Sequence, residues 1–338
     1  MRISLVAFTR TGDALAKRLA QAFAAQGHTV LCCDLLTKER QPPLRLRDWT
    51  AQAFSGDAIV FVGACAIAVR AIAPFVADKL TDPAVLSLDE QGRFVIALLS
   101  GHVGGANRLA AQVAELTGGQ ACISTATDLN GKFAVDVWAK EQGLALCERE
   151  LAKAVSAALL DGRTVGIHSD FPIEGVLPAG LQQAAAGALG ISVALSAVQQ
   201  PFLQTLHVIP RVVTLGVGCR KDLLPDLFEQ MVLQQLAQQG IALEAVCQMA
   251  SIDCKAQERC ILAFCEKYRL PLCTASAAQL GALAGTFTAS AFVAQTVGVD
   301  NVCERAAVWA SGGRLIFPKQ SGGGVTVAAA ISNWRLQF

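Results

Sequence analysis

Short runs of uninterrupted apolar residues alternate along this chain with stretches whose apolar positions recur every three or four residues, separated by glycine-containing turns. Residues 3–8 form the first run, 9–12 turn, 13–25 carry helical spacing, and 30–33 are apolar again. That is a strand–helix–strand order. The same rhythm predicts strands over 58–62, 84–88, 94–99 and 121–124, and helices over 67–77 and 106–116. Strands that are apolar throughout are what a sheet covered by helices on both faces requires. From residue 132 the rhythm loosens into two helical stretches, a short strand over 164–167, and a segment over 171–190 punctuated by glycine and proline. Residues 199–210 read as a linker, after which a strand over 211–217 and a helix over 222–239 begin a further unit. The expected fold class is α/β and multi-domain. An amino-terminal open α/β sheet spans 1–131, a small middle domain 132–208, and a separate carboxy-terminal α/β domain 209–338.

Composition and charge narrow the partners. Apolar residues make up 53% of the 338 and charged residues 16%, a balance that excludes disorder and supplies each domain with a core. The formal net charge is +1 with acids and bases interspersed, so no basic run exists to neutralise a row of phosphates and nucleic acid is not an expected partner. No apolar stretch reaches the roughly 18–20 residues that span a bilayer, and residues 3–8 are too few for a signal-peptide core. The expectation is a cytoplasmic, soluble protein with no membrane partner. Twelve cysteines raise the question of a metal. None sits in a C-x-x-C pair, however, and Cys254, Cys260, Cys265 and Cys273 have no histidine at zinc-site spacing. Most lie in apolar runs, as Cys32, Cys33, Cys65, Cys122 and Cys147 do, where a thiol acts as a small hydrophobe in a reducing compartment. No metal site is expected.

Candidate chemistry gathers at the turns from strand to helix. Ser100-Gly101-His102-Val103-Gly104-Gly105-Ala106-Asn107 follows the strand over 94–99. Its glycines permit positive φ and close approach of a ligand, and the start of the next helix offers unpaired N–H groups to an anion. Of the four histidines, His102 alone is set in a loop between glycines, and imidazole is the side chain suited to proton transfer near neutral pH. Packing alone also explains such a turn, with His102 bonded to a backbone carbonyl. The string is neither G-x-G-x-x-G nor a Walker loop.

Thr125-Ala126-Thr127-Asp128 places two hydroxyls and a carboxylate at a strand's carboxyl end; a turn capping the helix near Phe133 accounts for it as simply. Arg70, in the helix opened by Gly63-Ala64-Cys65, is either a solvated charge or a carboxylate partner. In Gly216-Val217-Gly218-Cys219-Arg220-Lys221, Arg220 is suited to bidentate binding and Lys221 to acting as a point charge, unless both are plain surface cations. Glu258 reads as a first-turn acid complementing a helix dipole, and Glu304 with Lys319 as an ion pair, structural or functional. Neither a G-x-S-x-G elbow nor an H-E-x-x-H motif occurs, which removes the serine-triad and zinc-water routes to hydrolysis.

The string LLSGHVGGANRLA (98–110), preceded by FVGACAIAVRAIAP and ADKLTDPAVLSLDEQGRFVIA and followed by CISTATD, is similar to the amino-terminal signature of the cobalt-precorrin-5A hydrolase (CbiG) family. TLGVGCRKD, ASIDCKAQE, residues 297–307 and FPKQSGGGVTVA resemble that family's carboxy-terminal domain, while 133–210 match a variable middle domain in position and length only. Two positions depart from the pattern: Ala66 and Asp222 stand where it has glycine.

The resemblance implies an enzyme of anaerobic cobalamin biosynthesis. Water opens the δ-lactone on ring A of cobalt-precorrin-5A, and the former C20 leaves with its methyl as acetaldehyde, giving cobalt-precorrin-5B. Cobalt then arrives inside the substrate and no cofactor is required. The implied partners are the cobalt-corrinoid and, transiently, neighbouring pathway methyltransferases. Fitted to that reaction, His102 is the expected base or acid, the N–H groups of Gly104 and Gly105 the oxyanion donors, and Asp128 a further catalytic carboxylate. A tetrapyrrole ringed by acetate and propionate arms calls for an apolar floor with cations. Arg70, Arg220 and Lys221 are expected in that role, and Ser100, Gly101, Asn107, Thr125, Thr127, Gly218 and Glu304 as further substrate contacts. The alternative is a non-catalytic corrinoid carrier or channelling protein of the same pathway.

Overall fold

A computed structural model of the chain describes residues 1–34, 45–78, 81–125 and 131–338, the side chain of Phe292 excepted. The chain divides into two compact units, Met1–Val137 and Trp138–Phe338.

The first unit is built on six strands, β1 (Arg2–Ala7), β2 (Thr29–Asp34), β3 (Ala58–Val62), β4 (Ala84–Leu88), β5 (Phe94–Leu99) and β6 (Gln120–Cys122). Their order is β2-β1-β3-β4-β5-β6. The described helices are α1 (Arg10–Ala25), α2 (Leu46–Ala53), α3 (Cys65–Ile72) and α4 (Ala106–Thr117). Alternate residues of the same strand enter opposite cores. Ile3, Leu5, Val60 and Leu86 pack with Leu19 and Phe23 of α1 and Leu109 and Val113 of α4. Val6, Ile59, Phe61 and Val85 pack with Trp49 of α2 and Ala68 and Ile72 of α3. This two-sided burial is why the strands carry no polar face, each fully covered large side chain contributing roughly 1.5–3 kcal/mol. The helix expected over 67–77 ends at Ile72, just before Pro74, which cannot continue an α-helical ladder.

Strands β1 to β4 are mutually parallel, but β5 runs antiparallel to β4, and β6 runs parallel to β5. The loops after β5 and β6 therefore emerge at the opposite end of the sheet from the loops after β1 and β3. The sequence pattern contains nothing that sets this reversal; the short β4–β5 connection around Gly92 (φ 71°) does.

The second unit carries two further five-stranded sheets. Helix α5 (Val135–Glu141), whose first three residues belong to the first unit, is followed by β7 (Leu144–Leu146), α6 (Arg149–Leu160), β8 (Val165–Ser169), β9 (Ile173–Glu174), β10 (Leu181–Gln183), β11 (Gly187–Val193) and β12 (Phe202–Pro210). The middle sheet has the order β10-β8-β11-β12-β7. Then come β13 (Val213–Cys219), α7 (Pro225–Gln238), β14 (Val246–Ile252), α8 (Arg259–Tyr268), β15 (Leu272–Ala275), α9 (Ala277–Gly281), α10 (Ala291–Val297), α11 (Cys303–Ser311), β16 (Arg314–Gly322) and β17 (Val325–Ile331). This sheet has the order β15-β14-β13-β17-β16, and β18 (Leu336–Gln337) returns to pair with β9.

The expected linker over 199–210 is corrected by this arrangement. Most of it is β12, paired with β11 on one side and β7 on the other, with Leu206, His207, Val208 and Ile209 all buried. Ile209 also enters the core of the third sheet, together with Ala145, Phe171 and Leu195 from the middle region. A strand apolar on both faces at this point is what joins the two sheets into one compact unit.

Candidate active site

The loop between β5 and α4 is held by its own backbone. Ser100 adopts a left-handed φ of 55° and donates its hydroxyl to the Asp82 carbonyl at 3.0 Å. A Cβ on Gly104 would lie 2.6 Å from the Ser100 carbonyl oxygen, and one on Gly101 2.7 Å from Asn107 Oδ1, so both positions are closed to larger residues. Gly105, at φ 86°, is the N-cap of α4. With no side chain to cap the helix, the loop's carbonyls do so: the Ala106 N–H donates to Ser100 O at 3.1 Å and the Asn107 N–H to Gly101 O at 2.9 Å.

Four of the expected residues take part in the loop itself. The Gly105 N–H donates to the His102 carbonyl at 3.0 Å, so it is committed to the turn and is no oxyanion donor. Among the described residues the Gly104 N–H has no acceptor. Ser100 and Asn107 are 8% and 7% exposed and their side chains hold the loop together, Asn107 donating from Nδ2 to Thr125 Oγ1 at 2.9 Å. Gly101 likewise serves the close approach of Asn107. The structure thus brings Ser100, Gly101, His102, Gly104, Asn107 and Thr125 to one end of the sheet, because β5 and β6 are parallel neighbours. Thr127 and Asp128 lie outside the described residues.

His102 is half-buried, with 19% of its side chain exposed, and its Nδ1 faces Asp136 Oδ1 at 3.3 Å. Asp136 sits in the first turn of α5. Burial alone would raise its pKa, but the hydrogen bond and charge of His102, with the amides of Val137 and Asp136 itself, outweigh burial and hold the carboxyl below its ordinary 3.8. A carboxylate beside Nδ1 sets the ring's orientation. Sequence reasoning missed Asp136. The only local signal was an acid near a helix start, which ordinarily complements the helix dipole.

Arg70 lies in the last turn of α3, exposed, and lines a largely apolar cavity of about 340 Å³ with Leu46, Arg47, Ile67, Ala71 and Pro74. The helix opens at the other end of the sheet from the His102 loop. In the second unit, Gly218 ends against Thr326 Oγ1, where a Cβ would approach to 2.8 Å. Arg220 and Lys221 are exposed, the Arg220 N–H donating to Gly324 O at 2.8 Å. Glu304 departs from expectation. It is 1% exposed and both carboxylate oxygens are taken by backbone amides, Thr288 N at 2.8 Å and Lys319 N at 2.7 Å. It braces the loop at Thr288 against β16, with both oxygens occupied inside the protein.

Near Arg220, Cys219 and Cys260 stand with their sulfurs 3.5 Å apart beside Glu258. Burial, with the neighbouring Cys260 thiol, pushes Cys219 up to about 12. No described helix is long and apolar enough to cross a membrane.

An open α/β sheet that presents an imidazole paired with a carboxylate on a glycine-built loop defines a class, an α/β protein with a candidate proton-transfer site. Known proteins make it specific. Residues 48–128 match the family described as Cobalamin synthesis G N-terminal, 133–210 the Cobalamin biosynthesis central region, and 213–330 the Cobalamin synthesis G C-terminus. The chain is 33% identical to the cobalt-precorrin-5A hydrolase of Salmonella typhimurium strain LT2, over 98% of each chain. It is 26% identical to that of Priestia megaterium, over 97% of this chain and 94% of the relative. A solved structure of a cobalamin biosynthesis protein G homolog from Sulfolobus solfataricus aligns over 97% of this chain and 96% of its own, at 19% identity and a TM-score of 0.44. On the sequence matches, this chain belongs to the cobalt-precorrin-5A hydrolase (CbiG) family.

Proposed function

We propose that the chain hydrolyses cobalt-precorrin-5A, opening the ring A δ-lactone and releasing acetaldehyde to leave cobalt-precorrin-5B, with His102 as the proton-transfer group. The observation that carries the reaction is the match to a relative of that name across nearly the whole of both chains. The assignment of His102 is supported by its pairing with Asp136. Nε2 takes a proton from water as the oxygen attacks the lactone carbonyl, and the Gly104 N–H donates to the oxyanion that forms. Collapse of the tetrahedral intermediate expels the ring oxygen, which takes the proton back from the imidazolium. The hydroxyl so released loses its proton as the carbon–carbon bond to the macrocycle breaks, and the electron pair moves into the macrocycle.

In the second unit the exposed Arg220 and Lys221 are cations of the kind that carboxylate arms require. Cobalt enters as part of that substrate. Twelve cysteines, all unpaired, fit work in the reducing cytoplasm, where the labile macrocycle passes directly from a preceding methyl-transfer enzyme.

Anaerobic cobalt-precorrin-5A supplied to the wild type should yield trapped acetaldehyde and the matching loss of mass from the macrocycle. His102→Ala should lose about 10²- to 10⁴-fold in rate while still binding the corrinoid. Acetaldehyde release at the wild-type rate by His102→Ala removes His102 from the mechanism, and none from the wild type leaves a corrinoid carrier.

A further inference from the structure

The clearest chemistry outside the proposed active site lies where β13 meets α8. Cys219 is the last residue of β13, Glu258 the N-cap of α8, and Cys260 lies in that helix's first turn. One ligand atom from each lies within 4.8 Å of the other two, and the two sulfurs are 3.5 Å apart. Two thiolates at about 2.3 Å from a tetrahedral centre stand about 3.8 Å from each other, so the sulfurs are already close to the separation that a shared ion imposes. Glu258 holds an N-cap position without capping: its side chain makes no hydrogen bond to the helix. Its carboxylate instead accepts from Lys255 Nζ at 2.7 Å and from the Asp222 N–H at 3.0 Å. These two donors aim it at the sulfurs, as the outer partners of a metal ligand do. Lys255 and Glu258 are 19% and 10% exposed, so the pair is sheltered. Asp222 supplies its N–H from a left-handed φ of 57°, which a non-glycine residue adopts at a cost.

We propose that Cys219, Cys260 and Glu258 bind one thiophilic divalent cation of the zinc type, with a fourth coordination position open. Two thiolates and one carboxylate against a divalent ion leave a single negative charge, which Lys255 neutralises. Sulfur donors select zinc-like ions over magnesium or calcium. Each thiol loses its proton to solvent as its bond to the ion forms, and no oxidation takes place. The site tethers the Cys219–Asp222 loop, with its cations Arg220 and Lys221, to the start of α8. It is independent of the hydrolase reading, since metal binding is measured without corrinoid.

The test uses the full chain under anaerobic conditions with Co²⁺ as a spectroscopic probe. One equivalent should produce a thiolate-to-cobalt charge-transfer band that saturates at one ion per chain and is abolished by one equivalent of Zn²⁺. Cys219→Ser and Cys260→Ser should each lose the band and about tenfold or more in affinity, and Glu258→Gln should keep the band at weaker affinity. Cys122→Ser, outside the cluster, should match wild type. In the wild type, where folding is not in question, one equivalent of Zn²⁺ should slow alkylation of Cys219 and leave that of Cys122 unchanged. No charge-transfer band, a band that survives both serine variants, or unaltered alkylation of Cys219 overturns the site.

Discussion

Two histidine–carboxylate pairs, His102–Asp136 in the first unit and His207–Glu148 in the second, differ in how far the imidazole is buried. His207 on β12 is 2% exposed. Its Nδ1 meets Glu148 Oε1 at 2.8 Å, its Nε2 meets the Gln199 carbonyl at 2.8 Å, and its backbone N–H donates to Glu148 Oε2 at 2.8 Å. Both ring nitrogens are spent inside the protein, so the group is a brace between β12, the start of α6 and the loop before β12. His102 has the looser contact, 3.3 Å to Asp136, and a side chain that is 19% exposed. The chemical pair is nearly the same, and burial separates them: the His102 side chain is partly open to solvent and His207 is closed off.

Exchanging the two residues for alanine gives the largest effects. His102→Ala should lose its activity with a melting temperature close to wild type. His207→Ala should show the reverse: roughly 2–4 kcal/mol of unfolding free energy lost, from a cavity and stranded partners, with kcat per folded molecule retained. A large stability loss in His102→Ala, with the rate per folded molecule kept, would erase the distinction. The carboxylates sharpen it. Asp136→Asn keeps a side chain of the same shape but weakens the orientation of the ring, so kcat should fall by about 10- to 100-fold, less than the whole proton-transfer contribution. Glu148→Gln should leave kcat alone and cost about 1–2 kcal/mol by weakening two hydrogen bonds to a charged acceptor; urea titration beside initial-rate assays separates the cases.

The smallest effect is on acid stability. Because Asp136 is held below its ordinary 3.8 in the folded chain, it binds protons less readily there than when unfolded. Its contribution to stability is therefore fully present above that ordinary value and is lost as pH falls through the lower folded one. The stability difference between wild type and Asp136→Asn should shrink as the pH drops from about 5 to about 3. A difference constant over that range contradicts the pairing.

Much of the first unit was legible along the chain. The strands at 58–62, 84–88 and 94–99 and the glycine-bounded α4 lie where uninterrupted apolar runs and helical spacing put them, and the string around His102 marked the loop that carries it. The departure at Asp222 was also legible. Where the family pattern has glycine, this chain holds a left-handed φ of 57°, the conformation glycine adopts without penalty. Other features left no local trace. The strand β12 was read as a linker because its burial between β11 and β7 is a property of the sheet. The internal partners of Ser100, Asn107 and Glu304 are likewise invisible along the chain, because a polar residue near a helix start looks alike whether it bonds a ligand or the protein itself.

By itself, the order of residues determined which segments are strands and helices and which turns need glycine, since each depends on periodicity or on neighbours a few positions apart, while the reaction came only through the resemblance to a known family. The tertiary structure decided who meets whom. His102 finds Asp136 across 34 residues, Cys219 finds Cys260 across 41, and His207 finds Glu148 across 59. Such meetings depend on the direction of β5, the sheet order and the closure of long loops, whose entropy is repaid only by the assembled core, and no periodicity encodes them.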